Sequence, residues 1–228
     1  MTRIHDQTPE FMTTIILPTK NESESIRETI ERVRCVCSDP IVVVDGNSTD
    51  GTADIALRMG VQVISDNGLG KGDALRVAFD YADDDVVFVD ADDTYPIERI
   101  PEFIDALRDC DVVIGERTEF TAGSLPILLR IGDLASRTMF RILYGERLDN
   151  LTGFRGMTRD AILRMNLMSN GFGIETEITA KAVRLGLRIT NIPITYRLRA
   201  GRSKFNPIKD GIVVVSAMVR YRFFSGGR

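Results

Sequence analysis

The stretch Val86-Val87-Phe88-Val89-Asp90-Ala91-Asp92 decides the fold. Four apolar residues in a row, β-branched or aromatic, read as a strand buried on both faces, the pattern of a parallel sheet. The strand ends in acid, and Asp93-Thr94-Tyr95-Pro96 follows. Carboxylates this close repel one another and are tolerated best with a cation between them. A solvated acidic turn would explain the same letters, because Asp favours turns. An acid pair at the C-terminal edge of a buried strand is also where Mg²⁺ or Mn²⁺ can hold a diphosphate.

Outward from this stretch, strands and helices alternate. Residues 13–17, 41–44, 61–64 and 112–114 read as further strands. Residues 22–36 read as a helix with Asn21 as its cap and Ile26, Ile30 and Val33 on the buried face. Further helices are expected over 53–59, stopped at Gly60, and over 72–82 and 97–108. The βαβα order predicts an α/β fold of one domain: a doubly wound, mostly parallel sheet that binds ligands outside its C-terminal strand ends. Pro18-Thr19-Lys20-Asn21-Glu22, Asp45-Gly46-Asn47 and Asp90-Ala91-Asp92 each follow a strand, so all three should line one rim.

The 228 residues are 43% hydrophobic and 27% charged, enough apolar material for a sizeable core, and the net charge of −4 gives no reason to expect nucleic acid. From Tyr196 to Arg228 eight basic residues face one acid, so this tail carries +7 and the rest −11. A basic tail on an acidic body suits phosphates or an anionic membrane surface. Cys35, Cys37 and Cys110 have no spacing suited to zinc and are expected to be reduced, in an intracellular protein. The first eleven residues lack the apolar core of a signal peptide, and the apolar run at 212–219 is too short to span a bilayer. Residues 125–144 mix Ile127, Leu128, Ile131, Leu134, Met139, Ile142 and Leu143 with Arg130, Arg137 and Arg141. That periodicity fits a helix at a membrane interface and equally a core helix. The tail helix at 208–224 repeats the aromatic-plus-basic theme.

Several motifs carry a family resemblance: Leu17-Pro18-Thr19-Lys20-Asn21-Glu22, Val42-Val43-Val44-Asp45-Gly46-Asn47-Ser48-Thr49-Asp50-Gly51-Thr52 and Val89-Asp90-Ala91-Asp92. They resemble the nucleotide-sugar half of family 2 glycosyltransferases with the A-type (GT-A) fold. Leu148-Asp149-Asn150-Leu151-Thr152-Gly153-Phe154-Arg155, Gly171-Phe172-Gly173-Ile174-Glu175-Thr176-Glu177 and Arg199-Ala200-Gly201-Arg202-Ser203-Lys204 resemble the dolichyl-phosphate mannose synthase branch. The likeness covers about residues 13–211. It implies a Rossmann-like nucleotide-sugar half over 13–115 and an acceptor half over 116–205. An extension at 1–12 and a basic amphipathic tail at 206–228 would flank them.

By that resemblance Pro18, Glu22 and Asp45 hold the nucleotide base and ribose, with Thr19, Val44 and Ala91 beside them. Lys71, in the loop Gly68-Leu69-Gly70-Lys71-Gly72-Asp73, is placed to meet an anion. Asp92 is expected as a direct ligand of Mg²⁺ or Mn²⁺, and Asp90 as a second ligand or a sugar contact. Thr94 stands where relatives have Gln and is expected as a third, weaker metal ligand, with water completing the shell. Arg117 resembles the arginine that holds the acceptor phosphate, with Arg130 and Ser136 as further acceptor contacts. Arg199, Ser203 and Lys204 resemble the loop that closes over the donor diphosphate. Glu175 and Glu177 occupy the place of the catalytic Asp of relatives with hydroxyl acceptors, and two roles stand open for them, base or positioner of sugar hydroxyls and Lys or Arg side chains. Lys20 and Gly46 depart from the family's usual Tyr and acid, which leaves the base as guanine or uracil.

The reaction implied is an inverting transfer of a hexose from a nucleoside-diphosphate sugar to dolichyl or polyprenyl phosphate. The expected setting is the cytoplasmic face of a membrane, the protein peripheral to it, and a membrane-anchoring partner subunit is compatible with the resemblance. Two rivals stand beside it: a family 2 transferase with a soluble acceptor, such as phosphoglycerate or a glycan hydroxyl, and a non-catalytic nucleotide-sugar-binding relative.

Overall fold

A computed structural model describes residues 12–199 and 206–224. Its centre is a seven-stranded sheet in the order β3-β2-β1-β4-β6-β5-β7. The strands are β1 (Thr13–Thr19), β2 (Ile41–Asp45), β3 (Gln62–Ser65), β4 (Asp85–Val89), β5 (Val112–Phe120), β6 (Phe154–Met157) and β7 (Ile189–Tyr196). All neighbours pair in parallel except β6, which runs antiparallel to both β4 and β5.

The continuous apolar runs arise because helices cover both faces and successive side chains alternate between them. Ile16, Val42, Val44 and Phe88 point to one core, and Ile15, Leu17, Val43, Val87 and Val89 to the other. The first core is closed by α3 (Lys71–Tyr81), α5 (Ile127–Tyr144), α6 (Arg159–Met165), α7 (Ile174–Arg184) and α8 (Lys209–Phe223). The second is closed by α1 (Ile26–Val36), α2 (Thr52–Arg58) and α4 (Ile100–Ala106), the last preceded by a 3₁₀ turn at Ile97–Arg99. Here Phe103 stacks on Phe154 with ring centroids 3.9 Å apart.

Two strands and two helices escape the sequence reading. β6 is only four residues long and carries Arg155 and Gly156, so it lacks a strand pattern of its own. β7 contains Pro193, tolerated because β7 is an edge strand. Helices α6 and α7 also went unread, and β5 runs six residues past the expected 112–114. Helix α1 begins at Ile26 rather than 22, and Asn21 does not cap it. Instead Asn21 accepts from the Thr49 amide (2.8 Å), while its own amide donates to Ser48 Oγ (2.8 Å).

Parallel pairing brings the C-terminal ends of β1, β2, β3 and β4 to one rim, with Thr19 opposite Asp45 and Asp45 opposite Ser65. Because β6 runs the other way, its entrance lies at that same rim, with Phe154 opposite Val89. Three rim loops each hold a non-glycine residue at positive φ: Asn21 (51°), Asn47 (59°) and Asp93 (62°). Asn and Asp are the side chains that tolerate this backbone best.

Candidate active site

A cleft of about 200 Å³ opens on the rim. Of the residues singled out in the sequence, Pro18, Thr19, Glu22, Lys71, Asp90, Ala91, Asp92 and Arg199 line it. The β1 and β2 loops are tied to each other: Thr19 Oγ1 donates to the Val44 carbonyl (3.3 Å), and the Glu22 amide donates to Thr52 Oγ1 (2.8 Å). Asp45 accepts from the Ser48 amide through Oδ2 (2.9 Å), while its buried Oδ1 has no hydrogen-bond partner among the described residues. A buried acceptor left unpaired in the protein suits a ligand donor.

The acid pair sits opposite two cations. Lys71 Nζ lies 2.6 Å from both Asp90 Oδ1 and Glu175 Oε1. Arg199 bridges Asp92 and Glu22, the latter at 2.6 Å. Asp92 Oδ1 accepts from both the amide and the hydroxyl of Thr94. Thr94 therefore orients Asp92 in this structure. Burial, reinforced by the charges of Asp92 and Glu175, pushes the Asp90 carboxyl up to about 6 despite the pull of Lys71. Burial disfavours the Lys71 ammonium, yet Asp90 and Glu175 together hold it well above its usual range.

A second cluster lies behind the rim. Arg117 donates to Asp149 through Nε (2.7 Å) and Nη2 (2.8 Å), and to Asp133 (2.6 Å). Arg137 joins the same two carboxylates at 2.9 Å (Asp133) and 2.6 Å (Asp149). Asp149 is 0% exposed. Burial works against its charge, but Arg117 and then Arg137 outweigh that and hold its carboxyl at about 2. Arg155, also 0% exposed, donates to the carbonyls of Thr152 (2.9 Å) and Asp149 (3.0 Å) and to Thr179 Oγ1 (2.8 Å), strapping down the segment that leads into β6.

Several expected site residues have other partners here. Arg117 and Ser136 are buried outside the cleft lining, Ser136 against Asn150 (3.3 Å). Arg130 donates to the Leu125 carbonyl (3.1 Å) and lies over Phe120. Glu177 accepts from the amides of Met168 (2.9 Å) and Ser169 (2.7 Å) and pairs with Lys181 (2.6 Å), so it anchors the loop before α7 and does not line the cleft. Ser203 and Lys204 lie outside the described residues. Conversely, Lys20, Gly46, Asp66, Gly70, Ala74 and Phe172 line the cleft without having been assigned. Asp66 directly follows β3, so the strand-end rule applied to β1, β2 and β4 would have found it.

Comparison with known proteins places this geometry. The model of Glycosyl transferase family 2 matches residues 14–165. Glycosyltransferase AglJ of Haloferax volcanii is 35% identical over 90% of this chain and 70% of its own length. A dolichyl-phosphate hexose transferase of the same organism is 33% identical, covering 90% and 92%. The undecaprenyl-phosphate mannosyltransferase of Micrococcus luteus is 32% identical, covering 88% and 90%. Among solved structures, glucosyl-3-phosphoglycerate synthase of Mycobacterium tuberculosis, in complex with Mn²⁺, UDP and glucosyl-3-phosphoglycerate, superposes with a TM-score of 0.74 at 23% identity, covering 93% of this chain and 80% of that one. With its mostly parallel sheet, its acid pair at the end of β4 and these relatives, the chain belongs to glycosyl transferase family 2 and is a glycosyltransferase of the GT-A fold.

Proposed function

We propose that this glycosyltransferase moves a hexose from a nucleoside-diphosphate sugar to a polyprenyl phosphate of the dolichyl type, at a membrane surface and with a divalent cation. The observation that carries the reading is the outer face of α5 and α8. Ile127 (75% exposed), Ile131, Leu134 and Ile142 (77%) follow one stripe of α5. Ile212, Val215, Phe223 and Phe224 are exposed on and just beyond α8, and Tyr144 ties the two helices by donating to the Met218 carbonyl (2.8 Å). Arg130, Arg141, Arg220 and Arg222 are exposed among them. An apolar stripe edged by arginines suits the boundary of an anionic bilayer, where a lipid phosphate would be presented. No helix among the described residues is long and apolar enough to cross a membrane. The names of the H. volcanii and M. luteus relatives support the acceptor class.

The residues fit a divalent cation. Asp90 and Asp92 stand two residues apart on the cleft lining and offer the carboxylate oxygens that hard divalent ions take. No described group of three or more His, Cys, Asp or Glu forms a metal cage. Asp90 and Asp92 would therefore hold Mg²⁺ or Mn²⁺ jointly with donor phosphate and water, as these hard ions allow. Bound there, the ion would neutralise charge on the departing diphosphate.

The chain's own groups do the rest. Asp45 Oδ1 would accept from base or ribose, and Lys71 and Arg199 would bind the diphosphate. An oxygen of the acceptor phosphate forms the new bond to the anomeric carbon as the bond to the β-phosphate breaks, with inversion. That phosphate is already anionic at neutral pH, so no strong general base is needed. Glu175 would position Lys71, and Arg117 would reach the acceptor phosphate on release from Asp133. The test supplies Mg²⁺ or Mn²⁺, a polyprenyl phosphate or 3-phosphoglycerate, and GDP-mannose, UDP-glucose or UDP-N-acetylglucosamine. Transfer to the lipid phosphate with one donor is expected; transfer to phosphoglycerate alone would overturn the reading.

A further inference from the structure

Three of the four oxygens of the acid pair already have partners in the protein. Asp90 Oδ1 is held by Lys71 at 2.6 Å, and Asp90 Oδ2 packs so closely on Gly153 that a Cβ there would stand 2.3 Å away. Asp92 Oδ1 takes both Thr94 donors, and Asp92 Oδ2 takes Arg199. A divalent ion that approaches Oδ1 of Asp90 or Oδ2 of Asp92 competes with the cation already paired there. Both displaced cations need an anion, and a diphosphate in the same cleft is one.

Resting on the proposed role of Asp90 and Asp92 as metal ligands, we infer that Lys71 and Arg199 are built-in counter-ions that compete with a bare divalent ion for the acid pair. A nucleoside diphosphate draws them off, so that metal and nucleotide bind as a coupled pair. Two features of the fold serve this exchange. Glu175 keeps Lys71 within reach on its far side, 2.6 Å from Nζ. Arg199 follows β7 at the rim and is partly exposed, with Glu22 as its second partner. Lys71 and Arg199 thus act through Asp90 and Asp92 before the donor arrives and on the donor afterwards.

The experiment measures Mn²⁺ binding through the electron paramagnetic resonance signal of the free ion, first with Mn²⁺ alone and then with UDP or GDP. Binding to the native protein should tighten about tenfold or more when nucleotide is present, and nucleotide affinity should rise by the same factor with Mn²⁺. The decisive variants are Lys71→Met and Arg199→Gln. Each should bind Mn²⁺ alone about fivefold tighter than the native protein, yet bind nucleotide in the presence of Mn²⁺ more weakly. A merely structural role would not move the two affinities in opposite directions. Variants that bind Mn²⁺ alone no tighter than the native protein overturn the inference. Asp92→Asn tests the underlying reading separately: loss of Mn²⁺ binding supports Asp92 as a ligand, and native binding overturns it. Circular dichroism reports folding, and Arg199→Gln, at a partly exposed position, carries the test if Lys71→Met does not fold.

Discussion

Gly153 lies directly against the Asp90 carboxylate: a Cβ on Gly153 would stand 2.3 Å from Asp90 Oδ2 and 2.8 Å from Lys71 Nζ. The contact is fixed from both sides, because the Asp90 amide donates to the Gly153 carbonyl (3.2 Å) and the Gly153 amide donates to the Tyr95 hydroxyl oxygen (2.8 Å). The residue that leads into the antiparallel strand β6 thus packs directly on the acid site.

Gly153→Ala should therefore damage catalysis more than folding. The methyl group would push Asp90 and Lys71 off their positions, and misplacement of about 1 Å at a reacting centre costs on the order of 10²-fold in rate. Steady-state kinetics beside a thermal melt check this. A kcat/KM within a few-fold of the native value would show that the contact is idle.

Asp149 is the counter-charge for two arginines in a buried setting. Asp149→Ala leaves Arg117 and Arg137 with only Asp133 among their described carboxylate partners, and an uncompensated buried charge costs about 3 kcal/mol or more. Denaturant unfolding should show a loss of that size. A change below about 0.5 kcal/mol, typical of exposed pairs, would mean that solvent reaches the cluster.

The same residue sets an acid limb of stability. Its carboxyl is held at about 2 in the fold, below its ordinary value of 3.8. The folded state thus favours the ionised form. Its contribution is complete above about pH 4 and is lost as pH falls toward 2, amounting to roughly 2 kcal/mol. Melting curves between pH 5 and 2 should fall less steeply for Asp149→Asn than for the native protein. Parallel slopes would contradict the assignment.

Ile127→Asp combined with Ile131→Asp places two charges on the exposed stripe of α5. Both side chains are exposed, so the melting temperature should hardly change. Burying such a side chain contributes about 1.5–3 kcal/mol, so co-sedimentation with anionic phospholipid vesicles should fall at least about tenfold. Undiminished vesicle binding would remove α5 from the proposed membrane face.

The first half of the fold was legible because β1, β2 and β4 are buried on both faces, which demands apolar runs that stand out in a sequence. Their chain-end loops then had to share a rim, and Pro18, Glu22, Lys71, Asp90, Asp92 and Arg199 do line one cleft. Strand β6 was hidden: between two neighbours it needs little apolar length of its own, and Arg155 is buried there through hydrogen bonds that no local pattern announces.

Sequence alone therefore determined the parallel part of the sheet, its rim of strand-end loops and the residue types gathered there, since burial periodicity and strand-end loops are local properties. Only the tertiary structure decided the partnerships: Lys71 with Asp90 and Glu175, Arg199 with Asp92 and Glu22, Arg117 with Asp149. Arg199 and Glu22 are 177 positions apart, and pairing across such a distance depends on how the whole sheet closes. A charge reveals its type in the sequence; which opposite charge it meets is settled by packing.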